Sequence, residues 1–151
     1  MHSIRRFTPL FLRLALGVGF LSAVSDRFGL WGPPDAPNVA WGNFARFTEY
    51  AAQLNPWAPD AIVPALAWIA TTGEIVFGVA LIAGLFVRQV ALGSGVLLLL
   101  FALGMTVGTG LESALNASVY SAAAAAFALS LLGPGGWSVD AIREAGSGLE
   151  S

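Results

Sequence analysis

The sequence contains no cysteine, no lysine and only one histidine, His2. Without cysteine there are no disulfides, no thiol redox chemistry, no iron–sulfur cluster and no cysteine-ligated zinc. A single histidine near the N-terminus argues against haem held by two histidines or by histidine and methionine. No metal site is expected. Charge is also scarce. Only 11% of the 151 residues are charged, against about 25% in an ordinary soluble domain. The seven basic residues, all Arg, are scattered and the net charge is −2, so no basic surface for nucleic acid is expected.

What is present is apolar: the hydrophobic fraction is 56% and the mean hydropathy is +0.74. A helix needs about 20 mostly apolar residues to cross a bilayer core. Four stretches qualify, about 8–29, 61–87, 89–110 and 113–132. The reading is therefore an all-α integral membrane protein, a four-helix bundle forming a single domain over 1–151. Trp31-Gly32-Pro33-Pro34 closes the first stretch and Gly133-Pro134-Gly135-Gly136 the fourth, because such runs cannot continue a helix. Asp60 is the expected N-cap of the second. Phe86-Val87-Arg88-Gln89 and Gly110-Leu111-Glu112 are short links, so the helices they join should be antiparallel.

The stretch 31–60 holds five of the eight prolines and three of the five tryptophans. Within it Trp41, Phe44, Phe47, Ala51 and Leu54 recur at helical spacing. That pattern predicts a short interfacial helix on the bundle or at the headgroups, where Trp and Tyr concentrate. Residues 133–151 form a short tail. The start of the chain, with Arg5 and Arg6 before an apolar run, has features of a signal peptide. The helical pattern continues through Phe28, so the first helix is expected to be retained. Arg5, Arg6, Arg88 and Arg143 fall on one side of four spans, and Arg46 with Arg27 on the other. The excess of positive charge places both termini in the cytoplasm and loop 31–60 outside.

Small residues mark helix contacts in lipid. Gly17, Gly78, Gly93, Gly104 and Gly108 are read as packing positions, as is the stripe Ser118, Ala122, Ala125 and Ala126. Ionisable groups within a span are costly and mark either function or a structural pair. Glu74 lies mid-way along the second span, with Ala67, Ala70, Thr71 and Gly78 on its face. Arg13 lies inside the first span, and Asp26 and Arg27 lie at its far end. Arg13 and Asp26 are 13 residues apart, or about 20 Å, too far to bond. Arg13 should sit roughly 8 to 10 Å from Glu74 along the bundle, close enough for a direct or water-bridged pair. Arg27 shares nearly the same helix face. Arg13, Glu74, Arg27, Asp26 and Thr71 are thus the candidate buried polar group. They form either a register-fixing pair, a pocket for a small ligand or quinone headgroup, or a proton-linked carboxyl. Arg88 is read as snorkelling at its turn, and Glu112 as a solvated turn residue.

Three stretches resemble the DoxX family of small bacterial membrane proteins. They are Leu12-Arg13-Leu14-Ala15-Leu16-Gly17 leading to Asp26-Arg27-Phe28, then Thr72-Gly73-Glu74-Ile75-Val76-Phe77-Gly78, and Leu81-Ile82-Ala83-Gly84-Leu85-Phe86-Val87-Arg88. Arg27 stands where that family generally has Lys. The resemblance implies a four-helix subunit of the bacterial inner membrane associated with a redox complex. It implies an accessory role, possible contact with quinone, and no bound metal or covalent cofactor. Two other functions stay open: a small oligomeric transporter or proton-coupled permease acting through Glu74, and a structural anchor for a partner protein. A homo-oligomer fits the transporter reading, since four helices enclose little path alone.

Overall fold

The computed structural model describes residues 2–147. It is all-α, with helices α1 (His2–Arg27), α2 (Phe44–Leu54), α3 (Val63–Ala83), α4 (Val87–Gly108), α5 (Leu111–Asn116), α6 (Val119–Leu132) and α7 (Val139–Ser147). Three helices are long and apolar enough to cross a membrane: α1 over Phe7–Arg27, α3 and α4. A shorter apolar helix, α6, completes a membrane helical bundle. One end of the bundle carries the start of α1, the α3–α4 turn, the end of α6 and α7. It is called here the terminal end. The other carries α2 and α5 and is the loop end.

The expected fourth span is not one helix. It breaks at Ala117 and Ser118, where Ser118 takes a left-handed conformation at φ 56°. The 14 residues of α6 reach about 21 Å, against roughly 30 Å for a bilayer core. Val119 and Tyr120 pack beside the buried cluster of Leu54, Met105 and Ala114, so packing against α2, α4 and α5 overrides the continuous apolar pattern. Boundaries shift elsewhere too. Asp60 does not cap α3, which starts at Val63 with Pro64 in its first turn, where a missing N–H costs nothing.

Helix α1 packs chiefly on α3, and α4 chiefly on α6. Glycines set the closest approaches. A Cβ on Gly17 would lie 2.9 Å from the Gly78 carbonyl oxygen, and one on Gly78 3.1 Å from the Gly17 carbonyl oxygen. Gly93 accommodates the Phe77 ring, which a Cβ would meet at 2.9 Å. Gly104 and Gly108 let the end of α2 lie on α4; a Cβ on Gly108 would overlap the Gln53 carbonyl oxygen. The buried stripe of α6 is Ala123, Ala126 and Leu129; Ala122 and Ala125 are half-buried and Ser118 is exposed. The outward stripe of α1, Phe7, Phe11, Leu14 and Val18, is exposed and apolar, as a lipid-facing surface requires.

The proline-rich loop is built around α2. The Asn43 side chain accepts the Arg46 N–H at 2.8 Å and caps the helix. Phe47, Ala51 and Leu54 are buried beneath it, with Trp41 and Phe44 half-buried beside them. The helix lies on the bundle, as one of the two expected placements had it. Arg5, Arg6 and His2 carry side chains outside the described set, and residues 148–151 of the expected tail lie outside the described residues.

Candidate functional site

Arg13 and Glu74 do not pair. Arg13 is 1% exposed and points to the terminal end, where all its hydrogen bonds go to backbone carbonyls. Its Nε donates to Leu81 at 2.9 Å and its Nη2 to Ile82 at 3.0 Å. Its Nη1 donates to Pro134 at 3.1 Å and Trp137 at 3.2 Å. The last carbonyls of a helix have no partner within it, and the planar guanidinium satisfies two of them on α3 while holding the chain beyond α6. Gly84, at φ 73°, makes room: a Cβ there would collide with the guanidinium. The Asp140 carboxylate caps the neighbouring α4, accepting the N–H groups of Phe86 at 2.9 Å and Val87 at 2.8 Å. Arg88 donates to Ser130 and Leu131 at the end of α6, so it caps that helix rather than merely snorkelling. The long side chains at this end serve helix termini.

The partner of Glu74 is Arg27, 14 residues along α1 from Arg13. Its Nη1 forms an ion pair with Glu74 Oε2, and both side chains are almost fully buried. The same Nη1 donates to Thr71 Oγ1 at 2.8 Å, and the Thr71 hydroxyl donates in turn to the Ala67 carbonyl at 2.8 Å. The Arg27 guanidinium also lies 3.6 Å from the Phe47 ring centroid and 5.3 Å from that of Trp41. The ring faces carry negative charge density and attract the cation. Ala67, Thr71, Glu74 and Gly78 form the buried stripe of α3, with Ala70 half-buried at its edge. Asp26 turns away to the loop, where its Oδ2 accepts the Trp41 N–H at 2.8 Å.

Arg27 and Glu74 line a cavity of about 630 Å³ enclosed by α1, α2, α3, α4 and the start of α6. Its walls are mostly apolar, among them Leu16, Phe20, Ala67, Leu98 and Met105, and Tyr50 adds a hydroxyl at the loop end. Burial raises the Tyr50 hydroxyl above the ordinary phenol range, against the lowering effect of its hydrogen bond with Thr109. A second, more polar hollow of about 410 Å³ adjoins it at the loop end, lined by Arg46, Glu49 and Gln53 and sharing Trp41 and Tyr50 with the first. Among the described residues no group of acidic or histidine side chains is arranged to hold a metal ion.

The expected polar group therefore divides. Glu74, Arg27 and Thr71 come together on the cavity, Asp26 ties the loop, and Arg13 lies at the other end. Phe47, Trp41 and Tyr50 escaped notice as site residues. Helical spacing put the first two on one apolar stripe, on the bundle or at the headgroups, but nothing local revealed that they cover an arginine. An apolar helical bundle with a charged pair at one end of an internal cavity defines a multi-pass membrane protein with a buried polar site. Residues 8–109 match the DoxX family model, and the chain belongs to the DoxX family. The match takes in the whole Arg27–Glu74 cluster and stops before α5. The chain matches no curated protein and no solved structure.

Proposed function

We propose that this DoxX-family membrane protein is an accessory subunit of a membrane redox system and that its cavity holds the headgroup of a quinone. The observation that carries this reading is the Arg27–Glu74 pair facing an apolar cavity of about 630 Å³. Ligand sites in proteins are commonly mostly apolar, with a few placed polar groups that fix orientation. The Arg27 guanidinium donates hydrogen bonds and Tyr50 can donate or accept one, which suits the carbonyl oxygens of a quinone ring. The apolar walls suit the rest of it. A purely structural pair needs no adjoining space.

The protein acts in the inner membrane of a bacterium, with both termini in the cytoplasm. Arg88, Arg143 and the start of α1 with Arg5 and Arg6 lie at the terminal end, against Arg46 and Arg27 at the loop end, an excess that supports this orientation. Single cysteines at Ser3, Asn43 and Ser147 in this cysteine-free chain test it: an impermeant thiol reagent on intact cells should label only the Asn43 variant. The functional test is extraction in mild detergent, followed by identification of copurifying proteins and lipid-soluble cofactors. Quinone should accompany the parent protein and be lost from a folded Glu74→Gln variant. If neither quinone nor a redox partner copurifies, and added decylubiquinone does not bind, the reading is wrong.

A further inference from the structure

The cavity has two seams between helices, and they differ. Between α3 and α4 the lining includes the large side chains Ile69, Leu97, Leu100 and Phe101, of which Ile69 and Leu100 are exposed. On α1 and at the start of α6 the lining includes a set of small residues, Ala15, Gly19 and Ala23, one turn apart on α1, and Ala117 and Ala122, beside the larger Leu16, Phe20 and Val119. Ala15, Gly19 and Ala117 line the cavity and are exposed. A Cβ placed on Gly19 would meet nothing within 4 Å. The break before Val119 accounts for the gap. Helix α6 has 14 residues against 21 in the spanning part of α1, so it ends about 10 Å short on the loop side. The opening lies beside the outward apolar stripe that includes Val18, so it faces lipid and not water.

A second observation points to an occupant. Arg27 is 2% exposed and lines the cavity, yet its Nε has no hydrogen-bond partner among the described residues. A buried N–H without an acceptor is destabilising, and a ligand oxygen would satisfy it.

We propose that the gap between α1 and the α5–α6 break is a lateral portal, through which a lipid-soluble ligand places a carbonyl oxygen at Arg27 and leaves its alkyl tail between Gly19 and Ala117. This rests on the cavity reading above and adds the route and the orientation. The ligand enters from the bilayer, head first towards the loop end, and the small residues leave room for a chain of methylenes. Burial of each methylene strengthens binding, so a side chain that fills the portal should displace the tail at a measurable cost.

The test uses the full chain in detergent with decylubiquinone as probe, its binding read by quenching of tryptophan fluorescence. Gly19→Phe should weaken binding at least about tenfold, equivalent to roughly 1.4 kcal/mol. Val18→Phe on the neighbouring lipid face should bind as the parent does. Melting midpoints equal to the parent's establish that the variants are folded. Should Gly19→Phe lower its midpoint, Ala117→Phe on the opposite bank takes its place with the same expected loss. Parental binding by the folded portal variant overturns the lateral route and leaves the cavity reading intact. Failure of the parent itself to bind the probe overturns both.

Discussion

Arg13 and Arg27 sit on the same face of the same helix, are buried to the same degree, and end in opposite chemistry. Arg13 is surrounded by carbonyl oxygens of α3 and of the chain after α6. Those acceptors are neutral dipoles at and beyond helix ends, where intrahelical donors run out, so the guanidinium and the helix end satisfy one another. Arg27 is surrounded by a carboxylate, a hydroxyl and two aromatic rings, and one of its N–H groups is left over. In the first arrangement every guanidinium nitrogen has an acceptor, and the group adjoins tightly packed turns. The second is incomplete and adjoins open space. Burial of a charge in a membrane protein therefore does not by itself mark a site. What its hydrogen bonds reach, and whether any remain unused, distinguishes a helix cap from a binding group.

That contrast can be broken most forcefully at the terminal end. Arg13→Ala should cost about 4 kcal/mol in detergent unfolding, because several carbonyls lose a charged donor at once. Arg13→Lys should recover little, since a single ammonium cannot reproduce the planar fork. A fully stable Lys variant would show that charge alone matters there.

Next in size is Glu74→Gln, expected to cost about 3 kcal/mol by stranding the Arg27 cation. Arg27→Gln should cost less, because a carboxyl can take up a proton and a guanidinium cannot give one up. The double variant Arg27→Gln/Glu74→Gln should regain part of the loss, whereas Arg13→Gln/Glu74→Gln should be additive, as sites without shared partners are. Equal coupling in both pairs would erase the distinction between the two arginines.

Gly108→Ala should cost about 2 kcal/mol through overpacking against the end of α2, since its Cβ overlaps the Gln53 carbonyl. If α2 is the lid over Arg27, the same variant should also weaken decylubiquinone binding. The smallest effect is expected for Asp140→Asn, about 1 kcal/mol, because the amide keeps one acceptor for the α4 N-terminus and loses the charge. Its ligand binding should be unaltered, as the residue belongs to the terminal end.

The membrane class, the three long helices and the small-residue contacts at Gly17 and Gly78 follow from the sequence alone, because hydropathy, length and residue size are local properties that a bilayer reads directly. The burial of Phe47, Ala51 and Leu54 follows as well, from helical period. Three things were decided only in the tertiary structure. The fourth apolar stretch breaks at Ser118 because α2 and α4 compete for its loop-end half. Arg13 finds the carbonyls of Pro134 and Trp137 more than a hundred residues away. Glu74 meets Arg27 and not Arg13. On a bare helical ruler both arginines lay within reach of one carboxyl, and separation along an axis says nothing about competing partners. The carbonyls at the end of α3 and after α6 hold Arg13, and the aromatic cover of α2 makes the loop end favourable for Arg27. Which acceptor each cation takes is a property of all the helices packed together.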